Sequence, residues 1–261
     1  MKFILGDQVA EFKSFFERSI GDESLIATPK ISPSSLDCQV AVWYKLHKTP
    51  MSREDRTFET DGYASSGSDR HKAIQNFLAN QPEIEWVDIK SFVEERGLPF
   101  EVEYEQEVVS LASKYQIDPE VICEIVGSRE RLLKHKNGLI NFKLDGIIKF
   151  HDEYYIIEIK TVSDKKIKDA PLEEHQKQGR SYSLLLGISK IIWIYESREN
   201  FKHVIAFQEF CSDEIESIRQ YLNEIVTAKS PMDLKRSSNC KYCRYKEVCY
   251  KDFNRDEENY F

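Results

Sequence analysis

The stretch EYYIIEIKTV, residues 153–162, carries an acid and a lysine two positions apart within an apolar run. Side chains of a strand alternate between the two faces of a sheet, so Glu158 and Lys160 point to one side together with Ile156. Charges on a buried face are costly unless they are paired, bound to a metal or used in catalysis. The stretch therefore predicts a strand that carries either a functional site or a structural ion pair.

A second acid lies in the preceding apolar run. Asp145 belongs to LINFKLDGIIKF, and the short polar segment HDE between the two runs predicts a hairpin that brings Asp145 close to Glu158. Two converging carboxylates repel each other unless a cation lies between them, and hard oxygen ligands suit Mg²⁺ or Mn²⁺. A divalent metal, a water and Lys160 are the parts needed to hydrolyse a phosphodiester. A structural ion pair at a sheet edge is the alternative.

Three further polar residues accompany this pair of runs. Residues 52–70 are polar and rich in Gly and Ser, which predicts a loop followed by a helix over about 70–78 that opens near His71. The segment EEHQKQGRSYSLLLG predicts a helix directly after the acidic strand. Gln178 and Tyr182 are four residues apart and share one face of that helix, so both would lie beside the site.

The polar residues follow one another in a recognisable order: His71, Asp145, Glu158, Lys160, Gln178 and Tyr182. This series of H, D, E-x-K and Q-x-x-x-Y resembles the core of the RecB-type nucleases of the restriction-endonuclease-like (D/E-x-K) superfamily. The resemblance implies that His71, Asp145 and Glu158 hold a metal ion, with the carbonyl of Ile159 as a further ligand.

The resemblance also implies roles for the other polar residues. Lys160 would position or activate the attacking water, while Gln178 and Tyr182 would orient DNA or the lysine. Glu105 and Glu107, in EYEQEVV, could supply a further acid, although a solvated strand face is the ordinary alternative.

Six cysteines raise the question of a second metal site. The segment CKYCRYKEVC places three of them in the spacing C-x2-C-x5-C: Cys240, Cys243 and Cys249. Three thiolates need a fourth ligand to hold a tetrahedral zinc ion or an iron–sulfur cluster. The candidates for the fourth ligand are Cys38, Cys123 and Cys211.

A subgroup of the same superfamily bears on this choice. The iron–sulfur exonucleases associated with CRISPR adaptation, and the AddB nuclease domain, bind a 4Fe-4S cluster through one cysteine before the nuclease core and three after it. The resemblance implies the same cofactor here, with the ligand set Cys38, Cys240, Cys243 and Cys249. Cys123 and Cys211, in apolar surroundings, are then structural. Zinc stays the alternative on spacing alone.

Other segments supply elements that would position these residues. KIIWIYES and HVIAFQEF predict strands, and SDEIESIRQYLNEIVTAK predicts an amphipathic helix. Strands mixed with helices around one sheet predict an α/β class. The resemblance refines this to a restriction-endonuclease-like mixed sheet flanked by helices, with an iron–sulfur clasp joining the N- and C-terminal parts.

A single domain over residues 1–261 is expected. Its parts are an N-terminal helical region 1–80 with Cys38 and His71, a helical insertion 81–140, a nuclease core 141–228 and a C-terminal cysteine cluster 229–261.

Composition limits the classes of partner. The net charge of −8 argues against a general attraction to nucleic acid but allows a local basic channel. The basic and aromatic residues of the C-terminal cluster are expected to face DNA: Lys241, Tyr242, Arg244, Tyr245, Lys246 and Tyr250. No apolar run approaches the length of a membrane span, and the apolar N-terminal stretch is too short for a signal peptide. A cytoplasmic protein without a membrane partner is expected.

The sequence as a whole predicts a metal-dependent deoxyribonuclease. The expected activity is exonucleolytic hydrolysis from the ends of single-stranded DNA, in recombination, repair or DNA processing. The protein would act alone or with a recombination, helicase or adaptation-complex partner. The alternatives are an endonuclease of the same superfamily, a catalytically silent DNA-binding or assembly module, and a redox sensor that uses the cluster.

Overall fold

Two β-sheets form the framework of the fold. The computed structural model describes residues 14, 26–52, 58–168, 170–237, 240 and 243–253, and for residues 58–65 and 174 it describes the backbone alone. The strands in these residues are β1 (Glu85–Trp86), β2 (Phe100–Glu103), β3 (Arg131–His135), β4 (Asn141–Leu144), β5 (Gly146–Phe150), β6 (Glu153–Val162), β7 (Lys190–Ser197) and β8 (His203–Glu209). The larger sheet has the order β1-β5-β6-β7-β8, and β2-β3-β4 form the smaller one. In the larger sheet β6 and β7 are parallel and the other neighbours antiparallel.

Helices flank the larger sheet. Those in the described residues are α1 (Gln39–Leu46), α2 (Phe58–Ala79), α3 (Ile89–Glu95), α4 (Gln106–Tyr115), α5 (Pro119–Val126), α6 (Asp164–Ile167), α7 (Glu173–Leu186), α8 (Ser212–Thr227) and α9 (Lys246–Asp252). The predicted α/β class, with a mixed central sheet between helices, is confirmed. None of the described helices is long and apolar enough to cross a membrane.

Local signals in the sequence account for two helix ends. Asp118 caps α5, where its carboxylate accepts the Glu120 N–H at 2.8 Å, and Pro119 occupies the first turn. Gly187 ends α7 in the left-handed region at φ 68°, which a residue with a side chain rarely adopts.

The β5–β6 hairpin has a tighter turn than HDE suggests. Glu153 already pairs with Phe150, so the turn consists of His151 and Asp152, both with positive φ. Two such residues match the right-handed twist of the flanking strands. The register pairs Gly146 with Ile157, so Asp145 lies opposite Glu158, as predicted.

The run LINFKLDGIIKF is two strands rather than one. It divides at Asp145 into β4 and β5, which belong to different sheets. Gly146 allows the close approach at this switch, because a Cβ there would stand 2.4 Å from the ring of Trp86 on β1.

Two expectations for the first half of the chain need correction. Helix α2 begins at Phe58 and takes in most of the predicted loop 52–70, of which residues 53–57 lie outside the described residues. Packing against the sheet outweighs the weak helix propensity of Gly and Ser there, since Ile74 and Leu78 of α2 cover the apolar face that contains Ile157 and Ile159. The segment 81–140, expected to be helical, contributes β1, β2 and β3 as well as α3, α4 and α5.

Strand β6 is buried on both faces. Ile156 packs with Trp193 and Tyr182 on one side, and Ile157 and Ile159 pack on the other. The alternation predicted for this strand is therefore confirmed, and Glu158 and Lys160 are on the side of Ile156.

The contact at Gly146 provides a test of the packing between β1 and β5. We expect Gly146→Ala to lower the free energy of unfolding by about 1–3 kcal/mol, because the new methyl group must displace the half-buried Trp86 ring. Urea denaturation followed by circular dichroism would measure the change.

Gly67→Ala is the matched control. A Cβ at Gly67 would stand 3.9 Å from the Thr161 hydroxyl, an ordinary contact. Alanine there should be neutral or stabilise the helix by up to about 1 kcal/mol. Equal unfolding free energies for Gly146→Ala and the unmodified protein would show that the contact is not tight.

Candidate functional site

The acid and the lysine of β6 form a hydrogen-bonded unit with helix α7. Lys160 Nζ donates to Glu158 Oε1 at 2.5 Å and to Gln178 Oε1 at 2.9 Å, and Gln178 Nε2 donates to Glu158 Oε1 at 2.7 Å. Gln178 Nε2 also donates to the Tyr182 hydroxyl at 2.7 Å, which donates to the Lys143 carbonyl at 3.1 Å. Both charges therefore have partners, as buried charges require.

An acid–histidine group, which consists of His71, Glu130 and Asp145, lies next to this unit. His71 Nδ1 stands 3.5 Å from Asp145 Oδ1 and 3.9 Å from Glu130 Oε1, and ligand atoms of these three residues all lie within 4.8 Å of one another. The second Asp145 oxygen accepts the Ile159 N–H at 2.7 Å, so the hairpin itself orients this carboxylate.

Helix α2 is tied to the same point. Gln75, one turn after His71 and fully buried, donates from Nε2 to the Asp145 carbonyl at 2.8 Å. Because both residues lie on one face of α2, this hydrogen bond holds the imidazole of His71 over the Asp145 carboxylate.

The electrostatics of the site reflect crowded negative charge. Burial, together with the charges of Asp145 and Glu105, raises the pKa of Glu130 to about 7. Burial also raises the pKa of Glu158, against the opposing effect of the Lys160 ammonium. Burial alone would lower the pKa of His71, but the adjoining carboxylates raise it. A cation among these groups would relieve their mutual repulsion.

The donor set fits a divalent cation. Two carboxylates and one imidazole are ligands that bind hard or borderline divalent metals. Within the described part of the chain, these three residues are the single set of three or more His, Cys, Asp and Glu side chains that meets the spacing of a metal site.

Two acids suggested by the sequence, Glu105 and Glu107, lie outside the acid–histidine group, and one acid that the sequence did not suggest lies in it. Glu105 accepts hydrogen bonds from Lys143 at 2.5 Å and Ser128 at 2.9 Å, and Glu107 is an exposed partner of Lys72. Neither belongs to the acid–histidine group. Glu130, just before β3 in SRERLLKH, belongs to it, and the one sequence signal is an acid at the start of an apolar strand.

Most of the predicted residues converge, and one neighbour does not. Hydrogen bonds join Glu158, Lys160, Gln178 and Tyr182, while His71 and Asp145 lie in the adjoining acid–histidine group. Ile159 contributes its N–H to Asp145. His175, three residues before Gln178, instead contacts the Tyr195 hydroxyl at 2.9 Å and stacks on that ring.

The cysteines divide into two classes. Four of them line one pocket between α1 and the C-terminal segment: Cys38, Cys240, Cys243 and Cys249. Burial, together with the neighbouring thiols, raises the pKa of Cys249 to about 11, against the opposing charge of Arg236. Cys123 is buried with Val108 and Ile122, and Cys211 is exposed before α8. The structure therefore brings together the four cysteines that the resemblance implied.

Other contacts join the two ends of the chain around this pocket. Trp43 Nε1 donates to the Ala228 carbonyl at 3.1 Å, and the Tyr44 hydroxyl donates to Asp252 at 2.6 Å. Tyr245 and Tyr250 are buried, each 6% exposed, so the expectation that they face DNA is wrong. They line the same pocket as the four cysteines. Lys241 and Tyr242 lie outside the described residues.

Comparisons with known proteins identify a family for the chain. A family model of the PD-(D/E)XK nuclease superfamily matches residues 44–250. No protein with a curated description matches the chain. Among solved structures, the crystal structure of SSO0001 is 18% identical over 85% of this chain and 86% of that chain, with a TM-score of 0.45.

A second solved protein is similar at lower identity. LHK-Exo in complex with dAMP is 12% identical over 76% of this chain and 87% of that chain, with a TM-score of 0.37. The alkaline exonuclease LHK-Exo from Laribacter hongkongensis is 14% identical with the same coverage and a TM-score of 0.34.

Glu130 provides a test of the acid–histidine group. We expect Glu130→Gln to weaken Mn²⁺ binding at least about tenfold, a loss of about 1.4 kcal/mol, because one charged ligand is removed. Isothermal titration calorimetry with Mn²⁺ would measure the dissociation constant. Glu107→Gln is the matched control, since its carboxylate pairs with Lys72 on the surface. Equal affinities of the two variants would exclude Glu130 from the binding site.

Proposed function

Because the chain belongs to the PD-(D/E)XK nuclease superfamily, we propose that it is a metal-dependent DNA exonuclease that hydrolyses phosphodiester bonds from the ends of single-stranded DNA. One observation carries the proposal. The hydrogen-bonded unit of Glu158, Lys160 and Gln178 adjoins the acid–histidine group of His71 and Asp145, so a metal site and a lysine meet at one place.

Nucleases of this superfamily use divalent metals, and the acid–histidine group could bind one. Mg²⁺ or Mn²⁺ would be held by His71, Asp145 and Glu158 with the Ile159 carbonyl, and Glu130 would add a further carboxylate. When bound, the ion supplies positive charge that stabilises the phosphoryl oxygens as negative charge builds up on them. Glu130 joins the ligand set proposed from the sequence, because its carboxylate contacts His71 as Asp145 does.

Lys160 is the proposed residue for orienting the attacking water. Its ammonium has three N–H donors, and Glu158 and Gln178 accept two of them. The third can donate to a water or to a phosphate oxygen. Because Glu158 and Gln178 hold the ammonium from two sides, the direction of this donor is set before substrate binds.

Gln178 and Tyr182 are positioning residues in this proposal. Tyr182 is 2% exposed, and its hydroxyl lies between the Gln178 amide and the Lys143 carbonyl. This arrangement fixes the Gln178 amide so that its oxygen faces Lys160 and its nitrogen faces Glu158. Removing either side chain would leave the lysine with fewer constraints.

We also propose a structural 4Fe-4S cluster held by Cys38, Cys240, Cys243 and Cys249. The four thiols line one pocket and join the N- and C-terminal segments, which supports a shared cofactor. Tetrahedral zinc, which four thiolates also bind, is the alternative. The choice of the iron–sulfur cluster rests on the resemblance to the iron–sulfur exonucleases.

The preference for single-stranded ends rests on the resemblance to iron–sulfur exonucleases. With a net charge of −8, the chain does not attract nucleic acid over its whole surface. A substrate strand would therefore be drawn mainly to the metal and to local basic side chains. A recombination, helicase or adaptation-complex protein stays the predicted kind of partner.

Digestion of end-labelled single-stranded DNA with Mn²⁺ tests the proposed activity. We expect linear DNA to be degraded from an end while circular DNA stays intact. Glu158→Ala should reduce the rate by at least about 100-fold, because the lysine loses its anchor and the site loses a carboxylate. Time courses on denaturing gels would measure the rates.

Each other outcome points to a named alternative. Cleavage of circles would identify an endonuclease of the same superfamily. The absence of cleavage of either substrate, with metal and cluster bound, would support a DNA-binding or assembly module. Equal rates for Glu158→Ala and the unmodified protein would exclude the site described here.

Replacement of single cysteines tests the cluster. We expect Cys240→Ala to lose brown colour and bound iron and to lower the free energy of unfolding by about 3–5 kcal/mol, since a link closing a very long loop is lost. Cys123→Ala should keep the colour, because that thiol lies in a separate apolar cluster. Visible absorption and thermal melts would measure both effects. A colourless protein that contains zinc would contradict the iron–sulfur assignment.

A further inference from the structure

The edge strand β8 presents an uncovered apolar face. Ile205 and Phe207 are 59% and 61% exposed. They are paired with Ile194 and Ile192 of β7, which are buried on the same face beneath side chains of α2. Helix α2 therefore covers the middle of the larger sheet but stops short of its edge, and two large apolar side chains are left in solvent.

The backbone of β8 is also open on its outer side. Within the described residues, β8 pairs with β7 alone. The Phe210 N–H bonds the Ser189 carbonyl, and the Lys202 carbonyl accepts the Ser197 N–H. At both ends of β8, the backbone groups of even-numbered residues therefore point towards β7. Because these groups alternate along an antiparallel strand, the backbone groups of residues 203, 205, 207 and 209 point away from β7. An exposed edge of this kind is a template for a further strand.

We propose that two copies of this chain pair through β8, antiparallel about a two-fold axis at Ala206. In this register Ile205 lies opposite the partner's Phe207, and His203 lies opposite the partner's Glu209. All four residues have outward-facing backbone groups, so each opposing pair can exchange two hydrogen bonds. The strand HVIAFQE is complementary to itself in this register alone.

Charge and apolar complementarity identify a second copy as the occupant. If the register shifted by two residues, Ile205 or Phe207 would lie opposite the same residue of the partner. The His203 imidazole would then no longer lie opposite the Glu209 carboxylate of the partner. The His203 imidazole shares one hydrogen bond with the Glu196 carboxylate at 2.7 Å, and the His203 side chain is 43% exposed to solvent. Pairing of one patch with itself is the form that two-fold dimers take.

The pairing would join two larger sheets into one of ten strands. Each chain would contribute five strands, and the acid–histidine group lies next to β5, which β6 and β7 separate from the shared edge. The contact is short, so the dimer should be weak and should dissociate on dilution. The inference does not depend on the proposed nuclease activity.

Size-exclusion chromatography with light scattering over a range of concentrations tests the dimer. We expect twice the chain mass of 30.6 kDa at high concentration and the single mass on dilution. Ile205→Lys should remain monomeric at all concentrations, because a lysine on the edge blocks pairing. Val226→Lys is the matched control: Val226 is 51% exposed on α8, and this variant should still dimerise. A monomeric parent protein, or a dimeric Ile205→Lys variant, would overturn the proposal.

Disulfide cross-linking tests the register. Opposed residues of a hydrogen-bonded antiparallel pair have Cα atoms about 5.5 Å apart, within the range that a disulfide spans. We expect a mixture of Ile205→Cys and Phe207→Cys proteins to form covalent dimers on mild oxidation, above the level of the parent protein. Neither variant should do so alone. Cross-linking of Ile205→Cys or Phe207→Cys by itself, or of no sample, would contradict the proposed pairing.

Discussion

The burial of a carboxylate on the central strand is the constraint from which the rest of the site follows. Glu158 is 3% exposed, and its charge is tolerated because Lys160 and Gln178 surround it. Gln178 in turn needs Tyr182 and the Lys143 carbonyl, which fix the position of α7 over the sheet. The packing of α7 on the sheet and the pairing of the buried charge on β6 therefore depend on the same side chains.

The switch between the two sheets at Asp145 gathers the remaining groups. The chain leaves β4 and enters β5 at this residue, so its carboxylate lies where the two sheets meet. Helix α2 reaches the same place through Gln75 and brings His71, while the smaller sheet brings Glu130 at the start of β3. Three separate parts of the chain thus supply one acid–histidine group that could hold a metal ion.

Local patterns in the sequence determine a large share of this architecture. The alternation of β6, the antiparallel hairpin, the cap at Asp118 and the end of α7 at Gly187 follow from backbone periodicity and from residue conformational preference. The ordered polar series also indicates which residues could meet, because the hairpin and the next helix bring near neighbours together. The fourth cysteine, Cys38, was indicated by resemblance, since no spacing rule connects it to the C-terminal three.

Only the tertiary structure decided the features that depend on distant parts of the chain. Glu130 joins His71 because the loop before β3 is hydrogen-bonded to Asn76 of α2, and no periodicity marks that acid. Helix α2 extends through a Gly- and Ser-rich segment because the sheet provides an apolar surface for it. Tyr245 and Tyr250 are buried because α1 packs against the segment that carries α9 and the C-terminal cysteines. The sequence by itself thus determines elements and candidate groups, and long-range packing decides their partners.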